Sequence, residues 1–156
     1  MTRVSLIQFP HDFAQQTSCH FNLGAPRSGT SWLARLLNAL GAKLPEQLVE
    51  PAHTNVFGFW EPTKLMEIDD EILSAIDRTW YDPRPIPRAW FRSKAAYAFQ
   101  KRIASVIASD YGDAPLILIK EPRICRLAPL YLNVLDVLAS RAARDSSAPP
   151  SRPRCS

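Results

Sequence analysis

Gly24-Ala25-Pro26-Arg27-Ser28-Gly29-Thr30-Ser31-Trp32 carries the frame of a phosphate-binding loop, G-x-x-x-x-G-K-[ST], with Thr30 where the lysine is expected. The basic residue has moved into the loop, at Arg27. That displacement argues against an ordinary ATP- or GTP-hydrolysing site. It argues for a loop that binds a nucleotide phosphate and serves different chemistry. Gly24 and Gly29 let the backbone curl so that its N–H groups converge on an anion, at the positive end of a following helix. Ser28, Thr30 and Ser31 add hydroxyl donors, and Arg27 adds a planar fork suited to phosphate or sulfate oxygens. The plainer alternative is that Ser28 to Ser31 cap a helix and the glycines make a turn.

The flanks favour the anion reading. Cys19 to Leu23 is a short apolar segment without a breaker, readable as a strand. Leu33, Leu36, Leu37 and Leu40 recur at the spacing of one helix face, and Gly41 stands where a left-handed cap closes such a helix. Residues 42–62 hold no strong period and are broken by Pro45, Pro51 and Pro62. Phe57, Phe59 and Trp60 give that stretch apolar weight, either as an acceptor-binding wall or as a loop packed on the core. Leu65, Ile68, Ile72 and Ile76 mark a helix over 63–77, and Ala95 to Ile107 mark a longer one over about 93–109. Residues 115–120 are apolar without alternation, as in a parallel strand covered on both faces. Leu127 to Leu138 reads as a last helix. Strand, helices, strand, helix is an α/β order with a parallel sheet flanked by helices.

The loop resembles the 5′-phosphosulfate-binding loop of sulfotransferases that use 3′-phosphoadenosine 5′-phosphosulfate (PAPS), where it reads P-[KR]-[ST]-G-T-[ST]. Gly58-Phe59-Trp60-Glu61, followed by Ile68-Asp69-Asp70-Glu71-Ile72-Leu73, is similar to the next segment in a bacterial branch of that family. Leu118-Ile119-Lys120-Glu121-Pro122-Arg123 is similar to its later L-K-[DE]-P-R strand end. The three matches keep their order over about residues 19–133.

The resemblance implies a partial P-loop-type three-layer fold, PAPS as co-substrate and no metal. Gly24, Pro26, Arg27, Ser28, Gly29, Thr30 and Ser31 would hold the 5′-phosphosulfate, with Arg27 stabilising charge on the leaving oxygen. Lys120 would stand near the transferring sulfuryl group, and Glu61 is the candidate base for a hydroxyl or amine acceptor. That acceptor is a small molecule, carbohydrate, lipid or peptide. Each remote residue also has a structural alternative. Glu61 precedes Pro62 and a helix start, and Arg123 has Glu121 as a ready ion-pair partner. Two other readings stay open: a phosphate-loop nucleotide kinase or ATPase, and a non-catalytic interaction module derived from the enzyme.

Composition bounds these readings. A chain of 156 residues with 46% hydrophobic and 22% charged residues is one globular domain's worth. Of the net charge of +4, three units sit in residues 140–156, where Arg141, Arg144, Arg152 and Arg154 oppose Asp145. The body is nearly neutral, so nucleic-acid binding is not expected. Cys19, Cys125 and Cys155 form no C-x-x-C pair, and no run suits a signal peptide or a membrane span, so a cytoplasmic location is expected. Residues 1–18 read as a leader or an irregular N-terminus, with residues 19–139 as the partial sulfotransferase-like domain.

Residues 140–156 are rich in Arg, Ser, Pro and Ala and unable to bury a core, so a disordered tail is expected there. Nothing after Leu132 matches the arginine and serine that hold the 3′-phosphate in the family. A frame change near residues 133–140 accounts for this composition, and a natural disordered tail is the alternative. On either account half of the cofactor site would be missing and activity impaired.

Overall fold

The computed structural model describes residues 18–24, 28–53, 55–112 and 114–146. Its centre is a parallel pair of strands, β1 (Ser18–Phe21) and β2 (Leu116–Ile119), in register from Ser18↔Leu116 to Phe21↔Ile119. Leu116-Ile117-Leu118-Ile119 is apolar at every position because both faces of the pair are covered. Ile117 and Ile119 point into the main core, and Leu118 packs with Ala34 and Ala42 on the opposite face. Lys43 extends the free edge of β2, accepting from Leu118 N–H and donating to the Leu116 carbonyl, both at 2.9 Å. The α/β architecture with a parallel sheet therefore stands as expected. Of the N-terminal segment expected as a leader, only Ser18 is among the described residues, and it opens β1.

Three helices fill the main core. Helix α2 (Thr63–Ala75) buries Leu65, Ile68 and Ile72, the face its periodicity marks, and ends where Arg78 N–H reaches the Leu73 carbonyl at 2.8 Å. Helix α3 (Lys94–Tyr111) is capped by Ser93, whose Oγ accepts from Ala96 N–H at 3.1 Å. It buries Ala96, Ile103, Ile107 and Tyr111. Helix α4 (Ile124–Ser146) buries Leu127, Leu130, Tyr131 and Val134.

The last helix is longer than its apolar period marks. Helix α4 starts before Leu127 and runs past Leu138 to Ser146, inside the segment read as a disordered tail. It starts early because the Glu121 carboxylate accepts from Ile124 N–H at 3.2 Å, a cap that lies outside the apolar period. It continues because Ala and Arg propagate a helix even where they cannot build a core.

Helix α1 (Thr30–Ala39) forms where the leucine spacing marks it, but the spacing does not say which face meets the sheet. Its leucines do not form the buried face. Thr30 and Ala34 are buried, whereas Leu36 is 40% and Leu40 72% exposed. The small Ala34 side chain lets the helix approach Leu118 closely, and spacing alone cannot distinguish that from a leucine-in orientation. Gly41 does close the helix as expected, at φ 101° with Ala42 N–H on the Leu37 carbonyl at 3.0 Å.

A buried acid pair ties α2 to the start of α4. Asp69 and Glu121 are both fully buried and in hydrogen-bonding contact, and Tyr131 OH donates to both Asp69 oxygens at 2.9 and 3.0 Å. Burial, then the neighbouring Glu121 charge, pushes the Asp69 carboxyl well above its ordinary value. Burial also pushes Glu121 up. The folded pair therefore retains a proton that the unfolded chain releases.

Two measurements check these assignments. In urea denaturation, Ala34→Leu should cost about 1–3 kcal/mol by overpacking. Leu40→Lys should stay within about 0.5 kcal/mol. Equal costs would reverse the orientation of α1. For the acid pair the sign is fixed by raised folded-state values. Its stabilisation is full below the ordinary carboxylate range and is lost as pH rises through the raised values, at up to about 1.4 kcal/mol per pH unit. Asp69→Asn should flatten the decline in stability as pH rises above the ordinary carboxylate range; parallel curves for the two proteins would rule the shared proton out.

Candidate functional site

Parallel pairing brings the carboxyl ends of β1 and β2 to one end of the sheet, where open α/β sheets bind ligands. Past β1, Asn22 is buried, and its Nδ2 donates to the Thr30 carbonyl at 2.7 Å, which fastens the first turn of α1 to the strand end. Gly29 precedes α1 at φ 86°, a left-handed conformation that glycine adopts without strain. Among the described residues no side chain caps the helix, so none of them takes its first N–H groups. A Cβ built on Gly29 would meet no described atom within 4 Å, so the space is open in that direction among the described residues.

Past β2, the chain turns through Lys120, Glu121, Pro122 and Arg123. Lys120 is only 4% exposed, and its Nζ donates to Glu61 Oε1 at 2.5 Å and to the Phe59 carbonyl at 2.8 Å. Ser31 Oγ donates to the same carbonyl at 3.4 Å. One carbonyl thus gathers a residue of α1 and the strand-end lysine, and the lysine in turn holds Glu61.

These groups open onto a cleft of about 740 Å³. Gly29, Thr30, Ser31, Glu61, Lys120 and Arg123 line one part of it. Val49, Val56, Phe57, Phe59, Met66 and Trp80 supply an apolar wall. Arg123 is held by Asp70 through Nε at 2.6 Å and NH2 at 3.0 Å, and by Glu121 through NH1 at 2.6 Å. The alternative partner read for Arg123 is therefore present, and the residue still lines the cleft.

Of the residues singled out in the sequence, Gly29, Thr30, Ser31, Glu61 and Lys120 come together here. Gly24 is half-buried just past β1 and Ser28 is exposed before α1, and neither lines the cleft. Pro26 and Arg27 lie outside the described residues. The stretch 42–62 divides between its two readings, since Phe57 and Phe59 line the cleft while Trp60 packs against the Ala34–Leu118 cluster. Asn22 and Trp80 were not singled out. An asparagine directly after a strand and before a glycine loop is a signal for the first, and nothing local marks the second.

The described cysteines are poor nucleophiles. Burial pushes the Cys19 thiol up to about 12, and burial together with the Glu121 charge also raises Cys125. Among the described residues no group of His, Cys, Asp and Glu is arranged to hold a metal ion, and no helix is long and apolar enough to cross a membrane. The arrangement can bind an anion at the start of α1 and deliver one ammonium and one carboxylate beside it. No family model, no curated protein and no solved structure matches the chain.

Proposed function

We propose that this chain is a sulfotransferase domain of P-loop type that takes a sulfuryl group from PAPS and delivers it to a hydroxyl or amine. One observation carries the reading. Three segments that resemble one family in sequence, and lie far apart along the chain, supply Ser31, Glu61 and Lys120 to a single cleft. The start of α1, whose first N–H groups no described side chain caps, suits the 5′-phosphate end of such a co-substrate.

In this reading the Thr30 and Ser31 backbone N–H groups and hydroxyls bind the phosphate, joined by Arg27 as the resemblance implies. Bound PAPS supplies an activated sulfuryl group whose leaving side is a nucleotide phosphate. Lys120 has one ammonium to share among Glu61, the Phe59 carbonyl and any anion that enters. As Lys120 turns towards sulfuryl oxygens it releases Glu61, whose carboxylate accepts the proton of the acceptor. The acceptor oxygen or nitrogen bonds to sulfur as the sulfur–oxygen bond to phosphate breaks. Positioning and charge stabilisation carry such an in-line transfer, as in phosphoryl transfer.

Calorimetric titration with PAPS tests the reading on the full chain. One-to-one binding is expected, weak because nothing after Leu132 matches the family's 3′-phosphate-holding residues, and weaker still in Arg27→Ala. In single-turnover transfer with labelled PAPS, Lys120→Gln should slow the reaction by about 10²–10³-fold per folded molecule, the folded fraction being read by circular dichroism because the substitution strands the buried Glu61 charge. A folded wild-type chain that gives no heat with PAPS, yet is stabilised by ATP and Mg²⁺, would sink the proposal in favour of a nucleotide kinase or ATPase.

A further inference from the structure

The apolar wall of the cleft is built unlike a solvent-facing loop. Asn55, Val56, Phe57 and Gly58 form a tight turn, closed by Gly58 N–H on the Asn55 carbonyl at 3.1 Å and by Asn55 Nδ2 on the Gly58 carbonyl at 2.6 Å. Turn tips favour Gly, Asn, Asp, Ser and Pro, yet Val56 and Phe57 occupy this one, 69% and 73% exposed. The backbone beneath them is pinned. Gly58 holds φ 84°, Trp60 holds φ 62°, and Trp60 Nε1 donates to the Phe57 carbonyl at 2.9 Å. A tryptophan in the left-handed region is a local cost that the surrounding contacts must hold in place.

Trp80 faces the same cleft from another segment and is 43% exposed. Its segment is also pinned, since the Arg126 guanidinium on α4 donates to the Thr79 carbonyl and, at 2.7 Å, to the Arg84 carbonyl. Two aromatic rings thus stand exposed at one cleft on backbones that do not need ordering. Preorganised rings favour a flat apolar body.

The charges of the cleft select in the same direction. Its two described cations are matched by carboxyl groups, Lys120 by Glu61 and Arg123 by Asp70 and Glu121. With Lys120 turned to the sulfuryl group in the transferase reading and Arg123 matched by Asp70 and Glu121, an acidic saccharide would find no further cation among the described residues of the cleft. A neutral saccharide needs many polar side chains, and among the described residues of the wall only His53 and Asn55 offer them, with the Asn55 amide already donating within its own turn.

We propose that the acceptor is an uncharged aryl alcohol whose ring lies against Phe57 and Trp80 and whose hydroxyl faces Glu61. This rests on the transferase reading above. The phenolic oxygen would form the new bond to sulfur, its proton would pass to the Glu61 carboxylate, and the nucleotide phosphate would leave with the electron pair of the broken bond.

The test pairs binding with transfer on the full chain. 2-Naphthol and cellobiose serve as acceptors, and titration with PAPS is measured separately. Labelled sulfate should appear on 2-naphthol and not on cellobiose. Phe57→Ala and Trp80→Ala should each raise the KM for 2-naphthol by about three- to tenfold without changing PAPS affinity. Tyr97→Ala, an exposed aromatic on α3 outside the cleft, should leave both unchanged. If PAPS binds but cellobiose is sulfated as well as 2-naphthol, or neither variant moves the KM, the aryl proposal falls and the transferase reading stands. If PAPS fails to bind while 2-naphthol binds in a Phe57- and Trp80-dependent way, the transferase reading falls and the aryl site stands.

Discussion

Everything at the candidate site depends on β1 and β2 being parallel and in register. Parallel pairing sends both chains out of the sheet at the same end. Asn22 and the start of α1 must then meet Lys120, Glu121 and Arg123. An antiparallel pairing would separate those groups by the length of the strand, about 13 Å for four residues. The same pairing obliges the chain to cross over between the strands, and α1, α2 and α3 occupy that crossover. It also obliges both faces to be covered, which is why β2 is apolar throughout. Sheet direction therefore fixes the core and the cleft together.

Within that frame, the Glu61–Lys120 pair has no simple account as a stabilising feature. Their side chains are 11% and 4% exposed, so both charges are largely withdrawn from water. Coulomb attraction at such a site does little more than offset the desolvation of the two ions, and apolar side chains of the same volume often serve stability equally well. Losing one partner is another matter, since it strands the other charge at about 3–5 kcal/mol. A pair that adds little and is hard to modify piecemeal is better explained by what an entering anion could do with it. The ammonium needs only to be drawn towards that anion for a carboxylate to be freed in the same cleft.

The parts legible in the sequence are those governed by short-range rules. The apolar run 116–119, the period Leu65–Ile68–Ile72 and the glycine at position 41 each specify a local geometry that the structure keeps. The convergence of Ser31, Glu61 and Lys120 was legible only as three fragments in a familiar order. What escaped was set by tertiary contacts. Which face of α1 meets the sheet is decided by how closely Ala34 can approach Leu118, not by the spacing of its leucines. The length of α4 is set at one end by the Glu121 cap. Trp80 reaches the cleft through a segment anchored from α4, which no local pattern announces.

The two faces of the sheet are unequally supported, and this bears on how the site works. The face towards α2, α3 and α4 buries most of the large apolar side chains, including Ile72, Ile103, Leu127, Leu130 and Tyr131. The face towards α1 buries Ala34, Ala42 and Leu118, with Leu37, Leu44, Trp60 and Leu116 partly covered. Helix α1 also presents Trp32, Leu36 and Leu40 to solvent, so those side chains contribute little to holding it on the sheet. The element whose start faces the cleft is thus held by fewer buried apolar side chains among the described residues than α2, α3 or α4, as binding elements commonly are. Its position rests on a few directed contacts: the Asn22 amide on the Thr30 carbonyl, the Ser31 hydroxyl on the Phe59 carbonyl, and the close fit of Ala34. An anion at the start of α1 would add its hydrogen bonds where packing is thinnest, so binding there would also order the helix that binds.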